Sequence, residues 1–279
     1  MPLVQKSDNT LQEFDPAKLT RSLMRAGASE DIAKSVVQDI VVQMREGMTT
    51  HEIYSRAFSL LRSHRTRVAA HYSLKRAMLE FGPTGFPFEA YLAELFRALG
   101  YKTITDQYVQ GRCVEHEVDV VMTKEDTGET TYVEAKFHNA IGYKTDLQVV
   151  LYVHARVEDI ADGIRSRGGE KSAENVRGML VTNTKFTDRV MQYAACRGLP
   201  LMSWDYPDRN NLHDIIEQTG LFPITALSSI SHSAKESLLA NKIVLCRDVI
   251  SHQHSLKHAG VPEDRIPTVV AEAAGLCNA

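Results

Sequence analysis

The chain has 279 residues, 43% hydrophobic and 24% charged, with a formal net charge of −3, which suits about two domains with real cores and excludes a globally basic nucleic-acid binder. No apolar run approaches the roughly 18 residues of a membrane span, and the start MPLVQKSDNT lacks a signal-peptide pattern, so no membrane role is expected. The four cysteines, Cys113, Cys196, Cys246 and Cys277, are scattered with no CxxC pair and read as free buried thiols of a cytoplasmic protein.

Residues 1–84 read as mainly helical. VQKSDNTLQEF places a polar turn, SDNT, between apolar flanks and predicts a short hairpin. Asp15-Pro16 predicts an N-cap followed by proline at the first helical position. Leu19, Leu23 and Met24, then Ile32, Val36, Val37, Ile40 and Val41, give helical spacing for two helices. TTHE resembles a capping box and starts a third helix near Thr50; a fourth is predicted from about Val68 to Leu79. GPTG at 82–85 breaks the chain there.

Residues 85–220 alternate helix and strand. FPFEAYLAELFRAL is an amphipathic helix stopped by Gly100. Three strand-like runs follow, YKTITDQYV, RCVEHEVDVVM and TTYVEAKFH, the last two joined by the turn-rich KEDTGET. The helix DLQVVLYVHARVEDI, the strand GMLVTNT, the helix FTDRVMQYAACRG, the strand LPLMSW and the helix NNLHDIIEQTG complete an α/β domain with a mixed sheet. Residues 221–279 read as a small all-helical domain with balanced charge.

Chemistry concentrates in two of the strands. In CVEHEVDVV, alternation puts Glu115, Glu117 and Asp119 on one face and His116 on the other. In YVEAKFHN, Val133, Ala135 and Phe137 share an apolar face, while Tyr132, Glu134, Lys136 and His138 share the second. A Glu–Lys pair on an arbitrary strand is most often a solvated surface pair. Here an antiparallel turn would bring Asp119 beside Glu134. Two close carboxylates repel unless a cation joins them, and Mg²⁺ suits two carboxylates plus water and a phosphate. His116 reads as a core or capping histidine, and His138 as a phosphate contact or packing. Tyr143, Lys144 and Tyr152 are open between nucleic-acid contact and ordinary surface or core.

This arrangement resembles the PD-(D/E)XK nuclease superfamily, with its restriction-endonuclease-like fold, over roughly residues 86–219, and looks like its Mrr-like branch. Asp119 matches the acid of the second strand and Glu134-Ala135-Lys136 the E-x-K of the third. Glu89 matches an acid on the preceding helix, and Gln148 a glutamine on the following one. The resemblance implies that Asp119, Glu134 and the Ala135 carbonyl hold Mg²⁺ or Mn²⁺, with Glu89 completing the shell directly or through water. It implies that Lys136 orients water and stabilises the transition state.

The first segment resembles the ATP-cone, a nucleotide-binding regulatory domain, over roughly residues 3–80. VQKSD…FDPAKL carries the likeness through Val4, Lys6, Asp8, Phe14, Asp15, Lys18 and Leu19, and VAAHYSLKR closes it. Ser7 stands where the family has arginine and Asn9 where it has glycine. The resemblance implies ATP or dATP as a regulatory ligand, with Val4, Lys6, Gln12, Lys18 and Thr50 as contacts. Arg62, Arg65, Arg67, Lys75 and Arg76 form an acid-free basic run that is equally a solvated helix face or a phosphate contact. ITALSSISHSAKESLLANKIVLCRDVI weakly resembles a helix-hairpin-helix module, with a helical cap or dimerisation domain as the alternative.

These features together predict a multidomain chain. A mainly helical ATP-cone (1–84) precedes a restriction-endonuclease-like mixed sheet flanked by helices (85–220), then a small helical domain (221–279). The expected activity is an ATP-responsive, Mg²⁺-dependent endonuclease acting on DNA, in restriction or defence, as a homo-oligomer. The alternatives are a nucleotide-regulated nucleic-acid-binding protein without cleavage, and an RNA-directed nuclease.

Overall fold

The computed structural model describes residues 2–6, 9–64, 66–140 and 142–277. Ser7, Asp8 and Arg65 therefore lie outside the described residues, as do the side chains of Arg62 and Arg67.

The chain opens with a hairpin of β1 (Leu3–Gln5) and β2 (Leu11–Glu13), in which Val4 pairs with Gln12. Helix α1 (Pro16–Arg25) begins where expected, with the Asp15 side chain accepting the Lys18 N–H. Helix α2 (Glu30–Val42) is capped by Ser29. Helix α3 (Thr50–His64) starts on the TTHE capping box: Glu52 Oε2 accepts the Thr49 N–H at 2.8 Å, and Thr49 Oγ1 accepts the Glu52 N–H at 3.1 Å. Two orphan amides are thus satisfied reciprocally. Helix α4 (Thr66–Ala77) follows. Leu23, Val36, Ile40, Met48, Ala57 and Leu61 build the core of this segment.

Helix α5 (Phe86–Ala98) leads into β3 (Lys102–Gln110), β4 (Glu115–Lys124) and β5 (Glu129–Lys136). After β6 (Lys144–Thr145) come α6 (Leu147–Ser166), α7 (Glu170–Glu174), β7 (Val176–Thr182) and β8 (Lys185–Phe186). Helix α8 (Asp188–Arg197), β9 (Leu201–Met202) and α9 (Leu212–Thr219) close the α/β part. The main sheet has the order β3-β4-β5-β7-β9, antiparallel through β5 and parallel from β5 onward, so it is mixed as predicted. The short strands β6 and β8 pair separately in parallel. The last part is helical: α10 (His232–Ala240), α11 (Asp248–Ser251), α12 (His254–His258) and α13 (Ile266–Cys277).

The core does not stop at the GPTG turn. Leu74, Ala77, Met78 and Phe81 from the end of α4 share one cluster with Phe88 and Tyr91 of α5, Val120 and Val133 of the sheet, and Leu238 and Leu276 of the last helices. Polar ties reinforce it. The buried Asn183, just after β7, donates to the carbonyls of Met78 (2.9 Å) and His138 (2.8 Å) and accepts the His138 N–H (2.9 Å). Thr225 donates to the Ala77 carbonyl at 2.8 Å, and Lys235 reaches Glu80 at 2.9 Å.

The cysteine expectation needs correction. All four thiols are free, but only Cys246 is buried; Cys113 and Cys196 are exposed and Cys277 is intermediate. Cys113 sits in the loop before β4 and Cys196 in the last turn of α8, where no partner element covers them. Among the described residues, no helix is long and apolar enough to cross a membrane.

The three bonds of Asn183 join buried and partly buried backbone groups that would lose their partner if the amide were removed. Asn183→Leu is therefore expected to cost about 2–5 kcal/mol in denaturant unfolding, from stranded polar groups worth about 1–3 kcal/mol each. An unchanged unfolding midpoint would show that those groups are not held by this amide.

Candidate active site

Strands β4 and β5 pair in register from Lys124↔Glu129 to Val120↔Val133. One step further, Asp119 and Glu134 stand opposite each other, and the ladder opens. Asp119 Oδ2 takes the Ala135 N–H at 2.7 Å, so a side chain replaces the strand-to-strand bond at that point. On its other side, Asp119 and Asp106 are the pair omitted from the β3–β4 register, and Asp106 has a φ of 54°.

This break corrects the simple alternation expected through Glu115, Glu117 and Asp119. Val118 packs with Tyr132, Ile160 and Val176 beneath α6, whereas Val120 packs into the core beneath α5. Residues two apart should share a face in a regular strand. The local twist at Asp106 and Asp119 interrupts that pattern and leaves Asp119 between the two layers. On β5 the apolar face is as predicted: Val133 and Ala135 are buried and Phe137 packs against them, its ring 5.9 Å from Phe88.

Glu134 is held by a residue that the sequence reading missed. Arg156 of α6 donates Nη1 to Glu134 Oε2 at 2.7 Å, with the two side chains 7% and 14% exposed. The guanidinium stacks over Tyr152, 4.5 Å from the ring centroid. Gln148, Tyr152 and Arg156 follow one another at a spacing of four, one above the next on α6. A signal was present. Val150, Val153, Arg156, Ile160 and Gly163 make up the buried stripe of α6, so Arg156 is a charge written at a core position.

The electrostatics are one-sided. Burial first, then Asp119, Asp106, Glu134 and Glu117, raise the Glu89 carboxyl from its ordinary value to about 8. Burial and Glu134 likewise push Asp119 up, against the Ala135 N–H and Arg156, which pull it down. The structure thus gathers Glu89, Asp119 and Glu134 into one acidic neighbourhood in which Arg156 is the buried cation. Lys136 ends β5, exposed, and forms no ion pair with a described residue. Gln148 is exposed in the first turn of α6, as are Tyr143 and Lys144 before it and Tyr152 after it.

The two histidines play structural parts. His116 Nε2 lies 2.8 Å from Asp159 of α6. Asp159 also accepts the Cys113 N–H at 2.9 Å, so it clasps the loop before β4. His138 lies beside Thr145 at 3.2 Å and stacks on Tyr143.

Three of the nucleotide residues expected from the sequence lie in the opening hairpin, where Val4 pairs with Gln12 and Lys6 directly follows β1. Val4 is buried in the core of the first segment, Gln12 and Lys18 are exposed, and Lys6 is half-buried beside the turn. Gln5 bridges to Thr49, which sets the hairpin beside the start of α3. Of the five, Thr50 alone lines the large cavity of about 1000 Å³ that opens between α1, α3, α4 and the α/β part.

Comparison with known proteins agrees with this organisation. The ATP cone domain family matches residues 2–78, a restriction endonuclease family residues 83–212, and the AF1548-like C-terminal family residues 222–277. An uncharacterized protein of Archaeoglobus fulgidus is 36% identical over 183 residues, 65% of this chain and 97% of that protein. The crystal structure of AF1548, a protein of unknown function, is 33% identical, with a TM-score of 0.56 over 70% of this chain and 99% of that one. A repair endonuclease from Pyrococcus abyssi is 24% identical over 39% of this chain and 42% of its own, with a TM-score of 0.28.

The raised Glu89 carboxyl has a sign that can be checked. A pKa of about 8 in the folded protein against an ordinary 4.5 means that the native state keeps a proton the unfolded chain has released. Stability of the ion-free protein therefore falls as pH rises between those values. Thermal melts in EDTA are expected to show this loss between pH 5 and pH 8, and Glu89→Gln is expected to flatten it. An equal slope in wild type and variant would show that Glu89 is not the strained group.

Proposed function

The chain belongs to the AF1548-like family, with an ATP cone ahead of a restriction-endonuclease-like domain, and we propose that it is a divalent-metal-dependent DNA endonuclease governed by adenine nucleotide. The observation that carries this reading is the opening of the β4–β5 ladder, which sets Asp119 against Glu134 with Lys136 two residues on. Regulation would act on nuclease activity or on oligomeric state.

The donor set fits Mg²⁺ or Mn²⁺ by charge. Hard oxygen ligands gather at the end of β5, where burial first and the neighbouring carboxylates second raise the pKa values of Glu89 and Asp119. Among the described residues, no three His, Cys, Asp or Glu side chains form a ready-made cage. The ion would be held by Asp119, Glu134 and the Ala135 carbonyl, with Glu89 reaching it directly or through water. When bound, such an ion supplies charge neutralisation at a phosphodiester and a lowered pKa for water.

The protein's own groups do the rest. Arg156 fixes one oxygen of Glu134 and leaves Oε1 unbonded by it. Lys136, exposed and without an acidic partner among the described residues, would orient the attacking water and meet negative charge as it develops. Gln148, at the start of α6, offers an amide to the same water or phosphate. Tyr143, Lys144 and Tyr152 present an exposed aromatic and basic rim suited to a nucleic-acid strand.

One observation favours a second reading, nucleic-acid binding without cleavage. Arg156 already supplies Glu134 with a positive charge, as a group that has replaced an ion would. Incubation with plasmid and single-stranded DNA, with Mg²⁺ or EDTA and with or without ATP, separates the two. Cleavage is expected with Mg²⁺ alone, to change with ATP, and to fall about 100-fold or more in a folded Lys136→Ala variant. Cleavage that survives EDTA or that substitution would remove the mechanism; DNA binding with no cleavage by wild type would establish the second reading.

A further inference from the structure

The cavity of about 1000 Å³ has walls from two parts of the chain: Arg25, Thr50, Lys75 and Arg76 from the cone, Asn139 and Trp204 from the nuclease-like part. Its size reaches the upper end of the roughly 300–1,000 Å³ common for ligand pockets. We propose that this cavity is a composite nucleoside-triphosphate site in which the nuclease-like domain supplies one wall. The proposal rests on the reading of the cone as a nucleotide-responsive domain, and adds where the ligand sits and what else it touches.

Charge points to a polyanion. Arg25, Lys75 and Arg76 make no ion pair with any described residue. Lys75 is half-buried, and burial lowers its pKa while the nearby Asp205 raises it. Arg76 lies 3.0 Å from His51 and over the Tyr54 ring. The two carboxylates that line the cavity are engaged by other cations: Glu80 by Lys235 and Asp205 by Lys185, each at 2.9 Å. A triphosphate would complete the unpaired cations and meet the α3 N-terminus at Thr50.

Shape points to a base. The indole of Trp204, 9% exposed, has the Lys75 ammonium over its ring at 6.0 Å, so an aromatic ring and a cation share one wall. Trp204 and Asn139 follow the carboxyl ends of β9 and β5, and β5, β7 and β9 run parallel. Ligands in α/β sheets bind outside the carboxyl ends of parallel strands. Asn139 stands three residues after Lys136, and its neighbour His138 is tied through Asn183 to Met78, at the end of the helix that carries Lys75 and Arg76. A ligand here touches both ends of that linkage.

Trp204 is the one tryptophan of the chain, so intrinsic emission reports this cavity directly. Titrating the full chain with ATP is expected to change that emission saturably, with the midpoint found by calorimetry. Tripolyphosphate is expected to compete for the site, and adenosine alone to bind far more weakly. Lys75→Gln and Arg76→Gln, each checked for an unchanged circular dichroism spectrum, are expected to weaken ATP about tenfold or more. Calorimetric ATP binding with unmoved emission and unchanged affinity in both variants would overturn the composite site and leave the cone as a sensor. No ATP binding by any readout would overturn both.

Discussion

Everything near the candidate active site hangs on one buried amide. Asn183 holds the His138 backbone from both sides and the Met78 carbonyl at the same time. The parallel register of β5 and β7 makes this possible, because it brings Lys136 opposite Thr182 and so sets Asn183 beside the residues that follow Lys136. The end of α4 is thereby fixed against the strand that bears the E-x-K residues. Without that register, the cone would lose its hydrogen-bonded tie to the E-x-K strand and keep there apolar packing, which is non-directional. With it, the contact has a defined geometry.

The acidic cluster is the complementary feature, a place where the fold holds unfavourable charge instead of relieving it. Glu89, Asp119 and Glu134 come from one helix and two strands, and the core that fixes those elements also prevents the carboxylates from moving apart. Arg156 offsets part of this repulsion at Glu134. Its Nε atom has no hydrogen-bond partner in its buried position, so the guanidinium too is held by packing as much as by bonding. Such local strain is characteristic of sites whose chemistry needs a cation or a displaced pKa.

Local features were legible in the sequence and tertiary ones were not. The Asp15 cap, the Thr49–Glu52 box and the E-x-K strand are written within a few residues, and the structure forms each. The nearness of Asp119 and Glu134 could be read because an antiparallel turn links their strands. The break at Asp119 could not, because it depends on Asp106 of another strand and contradicts plain alternation. Arg156 is hidden inside an otherwise apolar helical stripe, where the hydrophobic period alone does not reveal a charge. Asn183 gave no signal at all: its partners lie 45 and 105 residues away in the chain. Burial of the thiols is not legible either, because composition says nothing about which surface a cysteine lands on.

The core that runs through the GPTG turn bears on how such a chain can be inherited. Phe81, Met78 and Leu74 lie beneath helices on both sides of the turn. A recombination event cutting at the glycines would deliver a cone whose last apolar residues face water, and a nuclease-like half with a missing piece of interior. Exchange of cone domains would thus favour partners that bring a matching end of α4. What looks like a bead on a string in the sequence is, inside the molecule, a joint shaped for one companion.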